Sequence, residues 1–390
     1  MTLNVRFAPS PTGNLHVGNI RSAILNWLFA RKGQGQFTLR LDDTDDVRST
    51  EEFAQSIQDD LNWLGLTYDH LERQSARLDR YQAALETLAA KGLAYPCFET
   101  GDELELKRKL ALSRGRPPVY DRAELKLSDT QRAELIAQGK KPHWRFKLSG
   151  KPVTWTDMIR GPVSIETSSL SDPVMVREDG RFLYLLASVV DDIDMGMTHI
   201  IRGEDHVTNS GVQIEMFEAL GAKSPSLGHF ALLTGAGGEG LSKRHGAMAI
   251  KDLRKDGIEP MTILSLIAKL GTSDAITPFN DLDALVADFD IGKLSRAPAR
   301  FYPEALIALN AKLLHQLPYD HVADRLAALR VGGGAEFWDA VRGNLARLAD
   351  AKIWWTIVDQ PLSPPDNDQA FLSAATSHLP DGPVNLETWG

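Results

Sequence analysis

The chain has 390 residues, is 43% hydrophobic and 24% charged, and carries a formal net charge of −9 with one cysteine. That length exceeds what one hydrophobic core supports and predicts about two to four domains. A single thiol excludes an internal disulfide, no apolar run approaches the ~20 residues of a membrane helix, and the negative charge leaves local basic patches as the route to any nucleic-acid contact.

Met1-Thr2-Leu3-Asn4 leads directly into Val5, Phe7 and Ala8, which read as a short buried strand, so no signal peptide is expected. Pro9, Pro11 and Gly13 then impose a loop, because Pro fixes φ and Gly tolerates positive φ. Ile20, Ala23, Ile24, Trp27 and Leu28 recur at helical spacing. A strand, a turn carrying His16 and Gly18, and a helix start form an anion site, since free N–H groups and the helix dipole point outward there.

Phe37, Leu39 and Leu41 alternate with Thr38 and Arg40, the pattern of a half-buried strand. Ser49-Thr50-Glu51-Glu52 offers caps for a helix running to Trp63 and Leu64. Residues 96–180 change character, with several prolines, many charges and β-like pieces near 144–148 and 163–167, and read as an inserted α/β domain. The βα pattern resumes at 182–190, 198–202 and 229–234, so residues 1–95 and 181–250 together predict one doubly wound parallel sheet. A Gly-rich run, 235–240, precedes Leu241-Ser242-Lys243-Arg244-His245-Gly246, a cationic loop suited to a polyphosphate. From Pro260 onward the chain reads as mostly α-helical, punctuated by Gly332-Gly333-Gly334 and later prolines.

The turn with His16 and Gly18, paired with the distant Lys243 loop, resembles the class I aminoacyl-tRNA synthetases. Phe7-Ala8-Pro9-Ser10-Pro11-Thr12-Gly13, Arg40-Leu41-Asp42-Asp43-Thr44-Asp45 and Ile201-Arg202-Gly203-Glu204-Asp205 resemble the bacterial glutamyl branch, over residues 1 to about 310. The resemblance implies a class I synthetase-type, Rossmann-like α/β fold. It places an acceptor-stem-binding insert at 96–180, a stem-contact helical domain at 251–315 and a helical, incomplete anticodon-binding region at 316–390.

It further implies activation of L-glutamate with ATP and Mg²⁺ and transfer to tRNA(Glu). Relaxed glutamylation of tRNA(Gln) and a non-catalytic tRNA-binding paralogue are the alternatives. By this resemblance His16 and Lys243 are catalytic, and His16, Gly18, Glu204, Lys243 and Arg244 bind ATP. Arg6, Ala8, Ser10, Asp42, Tyr184, Ser188 and Arg202 form the amino-acid pocket. Ser10 and Asp42 take the ammonium, Arg6 one carboxylate, and Arg202 with Tyr184 the side-chain carboxylate. Departures from the family pattern are Asn19 for a second histidine, Gly240 for a lysine, Asp42 for a glutamate and Ser188 for an asparagine.

Other readings stand beside these. Arg40 with Asp42 reads as a sheet-edge ion pair, and Asp191 and Asp192 as solvated acids. Lys107-Arg108-Lys109, Arg114, Arg116, Lys293, Arg296 and Arg300 offer phosphate contacts that set register. Cys97 lacks the thiol partners of a zinc site, so no zinc is expected. A cytoplasmic monomer without membrane attachment completes the expectation.

Overall fold

The computed structural model describes residues 2–235, 237–238, 248–360 and 369–378. The chain divides into two units. One comprises Met1–Asp252, Ile267–Ile276 and Leu282–Phe301; the other comprises Leu253–Leu266, Thr277–Asp281 and Tyr302–Gly390.

In the first unit, β1 (Asn4–Phe7), α1 (Val17–Lys32), β2 (Gln36–Leu41), α2 (Glu51–Trp63) and β3 (His70–Arg73) alternate as expected. β1 pairs parallel with β2, Asn4 opposite Gln36, and β2 pairs parallel with β3, Thr38 opposite His70. All five predicted apolar positions of α1 are buried, as are Val17, Arg21, Leu25 and Asn26, so this helix is enclosed rather than amphipathic. Thr50 caps α2 as predicted, its Oγ1 accepting the Phe53 N–H at 3.2 Å.

Next come α3 (Leu78–Ala90), β4 (Ala94–Cys97), α4 (Gly101–Ser113), α5 (Asp129–Ala137), β5 (His143–Phe146), β6 (Pro152–Asp157), β7 (Gly161–Glu166) and β8 (Val174–Val176). β4, β5 and β8 form an antiparallel sheet, and β6 with β7 an antiparallel hairpin. α4 and α5 bury no residue and rely on capping boxes, Thr100 with Glu103 and Ser128 with Gln131.

In segment 182–190, where the βα pattern is expected to resume, the helix dominates: α6 spans Tyr184–Asp194. A short apolar run does not distinguish strand from helix by periodicity, and this one is buried on most sides, including Leu186, Ala187, Val189 and Val190. β9 (His199–Gly203), α7 (Val207–Ala219) and β10 (Ser226–Phe230) then form a second βαβ unit, with Ser226 opposite His199. The Thr198 N–H donates to Asn4 O at 2.9 Å, which brings β9 alongside β1. The winding direction therefore reverses between β1 and β9. In open α/β sheets the crevice at the carboxyl ends of such strands is where ligands bind.

β11 (Leu233–Thr234) pairs parallel with β12 (Ala299–Arg300). No helix is long and apolar enough to cross a membrane among the described residues. The second unit is helical, with Pro303–Leu314, Ala323–Ala328, Gly334–Val341 and Ala351–Asp359 around a core that includes Leu313, Leu314, Val322 and Trp338. The buried Trp338 indole N–H is satisfied by Leu317 O at 2.8 Å.

Candidate active site

A cavity of about 570 Å³ opens at the reversal point. Arg6, Ala8, Ser10, His16, Gly18, Asp42, Tyr184 and Arg202 all line it, although they come from four separated stretches of chain. Ser188 and Glu204 do not. Ser188 is buried and its Oγ accepts from Arg40 at 3.3 Å, whereas Glu204 pairs with Arg160 at 2.7 Å and accepts the Leu232 N–H. Asp205, which the sequence puts at the same strand end as Arg202, lines the cavity too, and Thr12, Asn19, Arg21 and His206 line it without having been placed there by the sequence. Lys243 and Arg244 lie outside the described residues. The chain following them returns to the His16 turn: Met248 O accepts the Val17 N–H at 3.3 Å, and the Ile250 N–H donates to Leu15 O at 2.9 Å.

His16 is the N-cap of α1. Its Nδ1 accepts the Gly18 N–H at 3.1 Å while Asn19 Oδ1 accepts the His16 N–H at 3.2 Å, a reciprocal box. Accepting at Nδ1 assigns the ring proton to Nε2. A Cβ at Gly18 would lie 3.0 Å from the His16 ring, which would have to give by a few tenths of an ångström. Asn19, which stands in place of a second histidine, thus fixes the first one.

The floor of the cavity is a buried ion network. Arg40 is fully buried and donates to Asp42 at 2.7 and 3.2 Å and to Asp192 at 2.8 Å, with Asp191 at 3.7 Å. Arg6 donates to Asp192 at 3.1 and 3.4 Å, and Arg77 and Tyr81 reach Asp191. Two expectations are corrected here: Arg40–Asp42 is not a sheet-edge pair, and Asp191 and Asp192 are not solvated. β2 is covered on both faces, so alternation along it does not mark a solvent side.

Burial, with the Asp191 carboxylate adding repulsion, pushes Asp42 up to about 6 despite the pull of Arg40. A proton on Asp42 removes the negative charge that an ammonium group would meet. As pH falls through about 6, kcat/KM for an ammonium-bearing substrate is expected to fall in step with Asp42 protonation in the free enzyme. Asp42→Asn is expected to be poor at every pH and to lose that inflection. A wild-type profile flat from pH 8 to pH 5 would exclude Asp42 from this role.

Arg202, at the end of β9, is 5% exposed, and its hydrogen-bond partners among the described residues are all neutral. Nη1 donates to Tyr184 Oη at 2.7 Å, and Nη2 to Ser210 Oγ at 2.5 Å and Gln213 Oε1 at 2.6 Å; Nε has no partner. Burial holds its pKa below the usual guanidinium value. His206, whose ring lies 5.5 Å from that of Tyr184, is pushed down to about 4 by burial and by the nearby Arg202 cation, so it is neutral at pH 7. A buried cation whose hydrogen-bond partners are neutral, facing a cavity, is suited to an anionic group brought from outside. Gly203 follows because a Cβ there would run into Asp205 and Leu232.

In the insert, Lys107 pairs with Glu99 and Asp121, and Arg108 and Lys109 both reach Glu105. Lys293 pairs with Asp274 at 2.9 Å. Those cations are therefore partly neutralised. Cys97 is buried, and Tyr120 donates its hydroxyl to the sulfur at 3.6 Å. Burial pushes the thiol up to about 11, which disfavours the thiolate a metal needs. Elemental analysis of protein purified without chelators is expected to find far less than one zinc per chain. A stoichiometric value would mean that nitrogen and oxygen donors hold it.

Comparison with known proteins places this geometry. A profile described as tRNA synthetases class I (E and Q), catalytic domain, matches residues 2–307. The chain belongs to that family of class I aminoacyl-tRNA synthetases. Among curated relatives, glutamate–tRNA ligase 1 of Maricaulis maris (strain MCS10) is 58% identical over 386 residues, 99% of this chain and 87% of that protein. Glutamate–tRNA ligase of Azospirillum brasilense is 54% identical over 392 residues, 100% of this chain and 88% of that one. The crystal structure of a glutamate tRNA ligase from Elizabethkingia meningosepticum in complex with its amino acid matches with a TM-score of 0.84 at 27% identity, covering 97% of this chain and 86% of that chain.

Proposed function

We propose that the chain is a glutamate–tRNA ligase acting in the cytoplasm as a monomer. It activates L-glutamate with ATP and transfers the glutamyl group to the 3′ end of tRNA(Glu). The observation that carries this reading is Arg202: a buried guanidinium with neutral partners at the wall of the cavity. An amide side chain would leave that charge uncompensated, whereas a carboxylate completes it.

Arg202 and Tyr184 hold the side-chain carboxylate, Ser10 and Asp42 the ammonium, and Arg6 with the Ala8 turn the α-carboxylate. Arg6 is already half-neutralised by Asp192, which suits a carboxylate that must stay nucleophilic. Ser188 acts from below, through Arg40 on Asp42. An α-carboxylate oxygen attacks the α-phosphorus of ATP, and pyrophosphate leaves with the bonding electrons. A terminal ribose hydroxyl of the tRNA then attacks the activated carbonyl, and AMP leaves. The reactants supply their own nucleophiles, so positioning and electrostatics are the protein's share.

His16 and Gly18 bind ATP at the start of α1, with Glu204 beside the same crevice through Arg160. Lys243 and Arg244 meet the charge developing on the phosphates. Met248, which follows that loop in the chain, accepts the Val17 N–H of the His16 turn at 3.3 Å. Bound Mg²⁺ would offset the charge of the phosphates, and because it keeps several waters it would ask little of the protein's carboxylates. Asp205 in the cavity wall fits that limited demand, and no group of three or more ligating side chains occurs among the described residues. Residues 96–180 meet the acceptor stem, 251–315 contact the stem, and 316–390 face the anticodon.

ATP–pyrophosphate exchange, run with glutamate and with glutamine and each with and without tRNA, tests the reading. Exchange supported by glutamate and not by glutamine is expected. Equal support by both, or by neither under all four conditions, would overturn it.

A further inference from the structure

Behind Arg202, three buried side chains from three separate elements form a line. Asp157 closes β6, His229 lies in β10 and Ser210 lies on α7. Asp157 is 2% exposed and His229 and Ser210 are 0% exposed. Asp157 Oδ1 accepts the backbone N–H groups of Ile159, Arg160 and His229 at 3.0, 3.0 and 3.1 Å, and its Oδ2 lies 2.5 Å from His229 Nδ1. His229 Nε2 lies 2.7 Å from Ser210 Oγ, and Ser210 Oγ accepts Nη2–H of Arg202 at 2.5 Å.

The chemistry of these groups gives the line a direction. A carboxylate accepting backbone N–H groups is ionised, so it accepts again from Nδ1–H of His229. A neutral imidazole with its proton on Nδ1 offers Nε2 as an acceptor, and the Ser210 hydroxyl donates to it. The lone pairs of Ser210 Oγ are then turned toward Arg202. With the proton on Nε2 instead, the serine hydrogen would be driven to His206 O, which is 3.2 Å away. Burial holds the His229 pKa below the usual imidazole value, in keeping with a neutral ring.

We propose that Asp157, His229 and Ser210 are positioning residues that fix the orientation of the Arg202 guanidinium for the glutamate side chain; this rests on Arg202 reading that carboxylate. A guanidinium has five N–H donors. Ser210, Gln213 and Tyr184 occupy three of them with neutral acceptors, and no carboxylate among the described residues accepts from the group. The Asp157 charge reaches Arg202 only through two neutral groups. It favours the protonated guanidinium without taking the substrate's place.

The test uses the full chain. Ser210→Ala is expected to raise the glutamate KM at least about tenfold in tRNA-supported exchange, with the ATP KM changed less than about twofold and kcat affected less than the glutamate KM. An unchanged glutamate KM, or equal rises for both substrates, overturns the proposal. NMR of histidine-¹⁵N-labelled wild-type protein needs no variant to fold. His229 is expected to show a protonated Nδ1 and a bare Nε2, with the two exchanged in Asp157→Asn. A wild-type ring protonated at Nε2 overturns the directed chain. If Ser210→Ala is silent while Arg202→Gln abolishes the preference for glutamate, the positioning chain alone is wrong. If Arg202→Gln leaves that preference intact, the reading of Arg202 is what has failed.

Discussion

Arg202→Gln is expected to lower kcat/KM for glutamate by about thirty- to several-thousandfold while harming glutamine use little. The lost interaction is a charge-assisted pair in a desolvated site, worth roughly 2–5 kcal/mol. The ratio of kcat/KM for glutamate to that for glutamine should fall at least about tenfold. Stability gives a second, independent signature. In the unliganded protein Arg202 is a buried cation whose partners are neutral, and burial disfavours its charged form. Removing it should leave the unfolding midpoint unchanged or raise it, the trade expected where a site stores unsatisfied charge for its ligand. Equal damage to both substrates, or a loss of stability, would make Arg202 a brace for the strand end instead.

Arg40→Met should have the opposite profile, with stability failing first. Arg40 is 0% exposed and bridges Asp42, Asp191 and Asp192. Taking the guanidinium away leaves three carboxylates facing one another out of water, and breaking a buried network in this way costs about 3–5 kcal/mol. Asp192, which burial alone would push up, is held below the usual carboxylate range by Arg6 and Arg40 together. Denaturant unfolding of wild type and variant at pH 7 measures the loss. The deficit should shrink on acidification, because protonated carboxyl groups no longer repel. A deficit under about 1 kcal/mol at pH 7, or one that grows toward low pH, would show that the network does not depend on Arg40.

These residues also show what can be read from sequence alone and what cannot. The turn through Pro9, Pro11 and Gly13, the helix after it and the βα alternation around it were legible, because backbone restriction and periodicity are local properties. Eight of the proposed pocket and nucleotide residues line one cavity. Arg40, Asp191 and Asp192 were misjudged because charge suggests solvent, yet Val189-Val190-Asp191-Asp192-Ile193 sets acids within an apolar run, itself a sign of buried pairing. α6 was legible only as part of the βα alternation, because enclosure on most sides erases the periodicity that separates helix from strand. Asp157, Ser210 and His229 gave no signal. They lie tens of residues apart, and only the sheet and the hairpin behind it bring them together.

The register between Thr198 and Asn4 has a consequence during synthesis. β1 leaves the ribosome well before its neighbour on one side, β9, which lies nearly 200 positions later. The described lining of the crevice is complete only when Leu233 has emerged, on the order of tens of seconds after β1 at ordinary elongation rates. Through that interval the nascent sheet has an open parallel edge flanked by Val5 and Phe7, the kind of surface that invites intermolecular pairing. The chain that helps decode messages is thus itself exposed to the pace at which messages are decoded.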